Sequence, residues 1–200
     1  MIRIETDFSH WEGTNGYCSE ESAARIRRAV ASLPLNAFHL IGTGDFHYQT
    51  LFWLERIREP FVLVLFDHHP DDQPAAFGAD LISCGGWVAQ ARRLSACRGD
   101  LWIREAADFP ALDELPELPL YLSVDLDVLG TDWARTDWDQ GTMDLDGLTG
   151  ALRKLRGRRR IIGVDLCGGL PAEKGSSPDD LALNASAGEA LFECFCDRIA

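Results

Sequence analysis

The chain has 200 residues, 46% of them hydrophobic, which is enough to bury one core, so we expect a single domain over residues 1–200. Its 32 acidic residues outnumber 19 Lys and Arg, and the formal net charge is -13. This charge argues against a nucleic-acid or anionic-membrane partner, because phosphate binding needs a basic face.

Residues 1–13 carry charges throughout and lack the apolar segment of a secretion signal. The sequence holds no apolar stretch long enough to span a membrane. Its six cysteines are scattered without a C-x-x-C pair, a pattern typical of free thiols in a reducing compartment. We therefore expect a cytoplasmic location.

Apolar runs rich in β-branched and aromatic residues alternate with amphipathic helical patterns along the chain. The predicted strands are 37–41, 61–66, 120–124 and 160–164, with weaker candidates at 2–4 and 101–103. One helix has Ala23, Ile26, Val30 and Leu33 on one face and starts after Ser19; another has Leu145, Leu148, Leu152 and Leu155. Segments 106–119 and 171–180 are predicted to be surface loops. This alternation predicts an α/β fold with a mostly parallel sheet between helices.

Acids and histidines gather where the predicted strands end. Asp67, His69 and Asp71 follow one strong strand, and Asp125 and Asp127 follow the next. Residues two apart lie on the same side of an extended backbone. Because ligands of parallel sheets bind at the carboxyl ends of the strands, we expect these side chains to converge in one crevice.

Four carboxylates at one sheet edge would repel one another and raise each other's pKa unless a cation lay among them. Carboxylates mixed with imidazoles suit Mn²⁺, Fe²⁺, Co²⁺ or Zn²⁺ better than Ca²⁺, which prefers oxygen ligands. Carboxylates that bridge would hold two such ions close together, an arrangement that activates water. The pattern therefore predicts a transition-metal site.

The D-x-H-x-D pattern at Asp67, His69 and Asp71 comes after a G-D-x-H turn and before S-x-D-x-D at Ser123, Asp125 and Asp127. These three motifs, in this order, resemble the metal-binding signature of the arginase-like (ureohydrolase) superfamily. The resemblance implies a three-layer α/β/α fold and two divalent ions, Mn²⁺ first and Zn²⁺ or Fe²⁺ as alternatives. By it, one ion is held by His47, Asp67, Asp71 and Asp125. The other is held by His69, Asp67, Asp125 and Asp127, with Asp67 and Asp125 bridging and Asp165 supporting the site.

The chain departs from the family pattern at three positions. Phe46 displaces His47 by one place, so His47 can be a ligand only if the turn is locally shifted. Cys84 stands where the family has a proton-shuttling histidine, and is a candidate catalytic residue or a buried packing residue. Gly168 stands where the family has a glutamate that holds a guanidinium. We therefore expect no hydrolysis of arginine.

The leading hypothesis is a dinuclear metal-dependent hydrolase of a non-peptide C–N bond, of amidine, urea or amide type, with Asp127 as proton carrier. Two alternatives stay open: a mononuclear zinc deacylase of the histone-deacetylase-like branch, and a catalytically inactive metal-binding scaffold. The expected partner is a small-molecule substrate, with no nucleic acid and no membrane; a homo-oligomer is left open.

Overall fold

A computed structural model describes residues 1–74 and 81–196. The strands of this part are β1 (Arg3–Glu5), β2 (Tyr17–Cys18), β3 (Phe38–Leu40), β4 (Phe61–Phe66), β5 (Ile82–Ser83), β6 (Cys97–Ile103), β7 (Leu120–Asp125) and β8 (Ile161–Cys167). Its α-helices are α1 (Glu20–Val30), α2 (Gln49–Leu54), α3 (Trp87–Ala91), α4 (Leu145–Arg158) and α5 (Pro178–Glu193).

Six strands form one sheet in the order β1-β3-β8-β7-β4-β6, and the paired strands run parallel. The strands at its centre, β4, β7 and β8, are buried along their whole length. Strands that are apolar on both faces need a cover on each side. The short strands β2 and β5 pair antiparallel in a separate two-stranded sheet.

Alternate residues of the central strands point to two separate cores. Val62 and Val64 belong to the core that includes side chains of α4 and α5. Leu63 and Leu65 belong to the core that includes side chains of α1, α2 and α3. The sheet is therefore the middle layer of three, and the predicted α/β/α architecture is confirmed.

The two predicted helices are present, and Ser19 caps the first, its side chain accepting a hydrogen bond from the backbone N–H of Ser22. Two loop predictions need correction. Segment 106–119 contains the 3-10 helix Ala106–Glu114, held by a capping box between Glu105 and Asp108. Segment 171–180 contains the start of α5, which Ser177 caps.

Among the described residues, no helix is both long enough and apolar enough to cross a membrane.

Candidate metal centre

Three neighbouring strands deliver acidic or sulfur side chains to the same sheet edge. Asp67 directly follows β4, Asp125 ends β7 and Cys167 ends β8. Asp125 and Cys167 are paired in register, and Phe66, the last residue of β4, is paired with Val124. The predicted convergence at the carboxyl ends therefore occurs, between strands adjacent in space and far apart in sequence.

His47 enters the site from the turn after β3. The segment Gly44–Phe46 forms a 3-10 turn, and His47 lies at its end, 1% exposed. Its Nδ1 lies 3.1 Å from Asp67 Oδ2, 3.0 Å from Asp71 Oδ2 and 3.5 Å from Asp125 Oδ2. The tight turn supplies the local shift that the inserted Phe46 requires, so His47 reaches the carboxylates.

A second group forms around His69, whose side chain is 32% exposed. His69 Nδ1 lies 2.8 Å from Asp127 Oδ2 and 3.7 Å from Asp67 Oδ1. Asp127 lies in the 3-10 turn Leu126–Val128, directly beyond β7. The extended geometry expected for residues 125–127 is therefore replaced by a turn, which still brings both aspartates to the site.

Asp71 is held in an uncommon backbone conformation, with φ at +46°. Its Oδ2 accepts a 2.7 Å hydrogen bond from the indole Nε1 of Trp87, and its carbonyl accepts one from the N–H of Val88. A positive φ at a residue other than glycine costs energy and persists where surrounding contacts enforce it. The start of α3 supplies those contacts and aims the carboxylate at His47.

A hydrogen-bond chain fixes the ring of His47 from behind. The hydroxyl of Ser123 donates to Asp165 Oδ1 over 2.6 Å, and Ser123 Oγ lies 2.8 Å from His47 Nε2. Because the Ser123 proton is used on Asp165, Nε2–H of His47 is the donor of the second bond. The Asp165 carboxylate thus supports the site from a buried position, as the sequence suggested.

The positions of the donor atoms around His47 indicate whether a cation would fit among them. A neutral His47 with its proton on Nε2 turns the lone pair of Nδ1 toward the oxygens of Asp67 and Asp71, which repel it. Asp67 Oδ2 is buried without a hydrogen-bond partner. A positive charge between these atoms removes both penalties, and imidazole with carboxylate oxygen is a donor set that divalent transition metals accept. The described residues fit a metal ion.

The pKa values respond to the same crowding. Burial, then the charges of Asp127 and Asp67, hold the pKa of Asp125 well above its usual range. Hydrogen bonds to Asp127 and Asp67 raise the pKa of His69 to about 10. Burial alone would lower the pKa of His47, but the facing sulfur and carboxylates raise it well above its usual value.

The six predicted ligands line one small cavity of about 50 Å³, together with Gly44, Gln73, Cys84, Gly85 and Trp138. Burial raises the pKa of Cys84 to about 11, so this thiol is protonated at neutral pH. The role of Cys84 as a catalytic residue stays a prediction. The assignment of His47, Asp67, His69, Asp71, Asp125 and Asp127 as ligands stays a prediction that the geometry permits.

The loop after β7 places Trp138 over this cavity. The indole lies edge-on to His69, with ring centroids 6.0 Å apart. Lys174 pairs with Asp45, 2.5 Å away, and with Asp137, so it ties this loop to the turn that carries His47. The indole is 43% exposed and forms one wall of the cavity mouth.

Cys167 is a site residue that none of the sequence motifs includes. It is 2% exposed, and its Sγ lies 3.0 Å from Asp125 Oδ2. Within residues 1–74 and 81–196, three groups of donor atoms lie close enough together to hold a metal ion: His47 with Asp67 and Asp71, His47 with Asp125 and Cys167, and Asp67 with His69 and Asp127. The sequence signal that could have identified Cys167 is its position at a strand end, directly before the Gly168-Gly169 pair.

No family model matches the chain. An uncharacterized protein of Thermotoga maritima is 32% identical over 166 residues, which are 76% of this chain and 66% of that protein. The chain thus spans about two thirds of the length of this relative.

Solved structures with the same fold include a formimidoylglutamase from Bacillus subtilis, with a TM-score of 0.63 and 17% identity over 87% of this chain and 66% of that one. A hypothetical agmatinase from Burkholderia thailandensis gives 0.63 and 21%, over 86% and 62%. A Trypanosoma cruzi formiminoglutamase with two Mn²⁺ gives 0.61 and 12%, over 89% and 73%.

Proposed function

The chain has the arginase-like ureohydrolase fold, and from this premise we propose that it is a dinuclear metal-dependent hydrolase of a non-peptide C–N bond. The substrate is a small molecule with an amidine, urea or amide group. Neighbours in fold are named a hypothetical agmatinase, a proclavaminate amidino hydrolase and an agmatine ureohydrolase, which supports this class of reaction.

The observation that carries the proposal is the position of Asp67 between two histidines. Its Oδ2 faces His47 at 3.1 Å, and its Oδ1 faces His69 at 3.7 Å. A carboxylate with one oxygen toward each of two nitrogen donors is suited to bridge two ions. His47, Asp71 and Asp125 would complete one centre, and His69 and Asp127 the other, with Asp125 as the second bridge.

Two divalent ions, when bound, supply activation of water and polarisation of the carbon that it attacks. The protein supplies orientation and proton transfer. We assign to Asp127 Oδ2, which lies beside His69 Nδ1, the role of taking the proton that the attacking water loses and returning it to the leaving nitrogen. A C–O bond forms, the C–N bond breaks, and the nitrogen leaves as a neutral amine or ammonia.

The cavity limits what can reach the centre. Its volume is about 50 Å³. We infer that the reacting group of the substrate enters this cavity and that the remainder extends past Trp138.

Gly168 argues against arginine as the substrate. A guanidinium needs a carboxylate partner, since an unpaired buried charge is costly. Gly168 offers none, and its φ of +103° is a conformation that side chains rarely adopt. We therefore propose a substrate other than arginine.

The mononuclear deacylase is not favoured, because Asp67, Asp71, Asp125 and Asp127 are more carboxylates than a single zinc ion needs. An inactive scaffold would bind metal but turn over no substrate. One assay distinguishes the hydrolase, the deacylase and the scaffold.

The test is release of ammonia or amine from a panel of amidines, ureas and amides by Mn²⁺-loaded protein. Turnover of at least one of these substrates is expected, with a loss of activity in Asp127→Asn. Asp132→Asn, an exposed carboxylate a few residues further along the chain, is the matched control and should retain activity. An absence of turnover across the panel by metal-loaded protein would support the scaffold. Cleavage confined to acyl-lysine amides with one zinc bound would support the deacylase.

A further inference from the structure

The sulfur of Cys167 lies beside a carboxylate of the metal centre. Buried free cysteine usually packs as a small hydrophobic residue. Here Sγ lies 3.0 Å from the carboxylate oxygen Oδ2 of Asp125, to which the thiol donates. The pairing of Asp125 with Cys167 across β7 and β8 fixes this contact through the backbone.

His47 completes a group of three different donors. One ligand atom each from His47, Asp125 and Cys167 lie within 4.8 Å of one another, and all three residues are buried. Such a spacing allows one ion to contact all three, since metal bonds to sulfur and nitrogen are about 2.0 to 2.3 Å long.

A second observation points to the same place. Asp67 Oδ2, on a side chain 1% exposed, has no hydrogen-bond partner and faces His47 Nδ1. A buried carboxylate oxygen without a partner is costly. The cation that relieves it would lie beside His47, which also belongs to the group of donors that contains Cys167.

We propose that Cys167 is a ligand of the ion held by His47, Asp125 and Asp67, so that this one of the two centres contains sulfur. The proposal rests on the metal centre of the proposed function and adds to it a ligand and a metal preference. When the ion binds, the S–H bond is replaced by a sulfur–metal bond, and the proton passes to solvent. Asp125 Oδ2, no longer accepting from the thiol, becomes free to bind the same ion.

A thiolate ligand changes which ion the centre takes. Thiolate and imidazole favour Zn²⁺ and Co²⁺, whereas carboxylate oxygens suit Mn²⁺. The His69 centre, with Asp67 and Asp127, offers no sulfur within its group of donors. The two centres are thus unlike, one thiophilic and one harder, and a mixed pair of ions is the expected loading when both kinds are supplied.

The experiment is titration of the metal-free full chain with Co²⁺, followed by absorption spectroscopy. Wild-type protein should show the visible bands of bound Co²⁺ and a near-ultraviolet sulfur-to-cobalt charge-transfer band. Cys167→Ser should keep the visible bands and lose the charge-transfer band. Cys84→Ser is the matched control, since Cys84 lines the same cavity, and it should keep both.

The outcomes separate this proposal from the one on which it rests. Visible cobalt bands without a charge-transfer band in wild-type protein overturn the sulfur ligand and leave the metal centre standing. No bound Co²⁺ at all overturns both. Loss of the charge-transfer band in Cys84→Ser would show that Cys84 and not Cys167 supplies the sulfur ligand, which also overturns the proposal.

X-ray absorption of the wild-type Zn²⁺ protein covers the case in which Cys167→Ser does not fold. A sulfur neighbour at about 2.3 Å is expected, and a shell of only nitrogen and oxygen would contradict the proposal. Competition supplies a further readout. With Mn²⁺ and Zn²⁺ in equal amounts, Cys167→Ser should retain a smaller share of Zn²⁺ than wild-type protein; an unchanged share counts against the sulfur ligand.

Discussion

A Cβ atom on Gly168 would lie 1.9 Å from Oδ1 of Asp125. It would also lie 2.8 Å from the backbone N of Leu126. The same carboxylate oxygen accepts a hydrogen bond from the N–H of Asp127, so it has little room to move. The backbone at this strand end, and not the choice of one side chain, is therefore the reason that position 168 has no glutamate.

We predict that Gly168→Glu does not create arginine hydrolysis. The positive φ alone costs about 1–3 kcal/mol for a residue other than glycine, and displacement of Asp125 should weaken metal binding. Thermal unfolding and metal analysis measure both effects. Gly169→Ala is the control, because a Cβ there meets Asn184 at an ordinary 3.4 Å. Urea release from arginine by either the wild type or Gly168→Glu would contradict the account.

Ser123→Ala should weaken metal binding at the His47 centre by about 10- to 100-fold, since the hydrogen-bond chain from Asp165 no longer orients the imidazole. The His69 centre does not contact Ser123 and serves as the internal control. Calorimetric titration with Mn²⁺ should show one step weakened and one unchanged. Two steps weakened equally would mean that Ser123 supports the fold and not His47.

Asp67→Asn should remove binding at both centres, because Asp67 faces both histidines. Wild-type protein should gain about 2.7 kcal/mol of stability per site when Mn²⁺ is at about 100 times its Kd, and the variant should gain none. Asp72→Asn is the matched control: this nearby carboxylate pairs with Arg92 outside the cavity. A full metal-induced rise in melting temperature in Asp67→Asn would exclude the bridging role.

Acid should destabilise the metal-free fold through His39. This ring is fully buried, stacks on Trp53 at 3.7 Å and donates to the carbonyl of Pro34, and burial lowers its pKa to about 4. In the unfolded chain His39 binds a proton near pH 6.5, whereas in the folded chain it stays neutral until the pH approaches 4. The contribution of His39 to the free energy of unfolding is therefore full above pH 6.5 and is lost as the pH falls toward 4, by roughly 3 kcal/mol in the limit.

Urea unfolding of wild-type protein and His39→Gln at pH 7 and pH 5 measures this effect. The variant should lose less stability between the two pH values than wild-type protein, although it starts lower. His10→Gln, an exposed histidine, should behave like wild type. Equal losses in His39→Gln and wild-type protein would show that His39 does not titrate in this window.

Local patterns in the sequence were sufficient to predict the central strands and to single out the motif residues. The apolar run before Asp67 and the spacing of Asp125 and Asp127 locate the sheet edge, because parallel strands present their carboxyl ends together. The start of α5 was missed although Ser177 and Asp180 form a capping box there, since the helix that follows has a weak amphipathic pattern. The 3-10 helix Ala106–Glu114 contains Pro110, which reads as a loop signal.

The tertiary contacts that position the site residues could not be predicted from local sequence patterns. Trp87 reaches Asp71, Lys174 reaches Asp45, and Cys167 reaches Asp125 through tertiary contacts across 16, 129 and 42 residues. Each of these residue types has a common role in packing or on the surface. Only their position in the folded chain gives them a role in the centre.

The most direct test of the account is the number of metal ions per chain. Metal-free protein is loaded with excess Mn²⁺, desalted and analysed for manganese and protein. We expect about two ions per chain, falling to about none in Asp67→Asn and to about one in His47→Ala, since two ions share Asp67. One ion per wild-type chain, or a folded protein that binds none, would contradict the dinuclear centre.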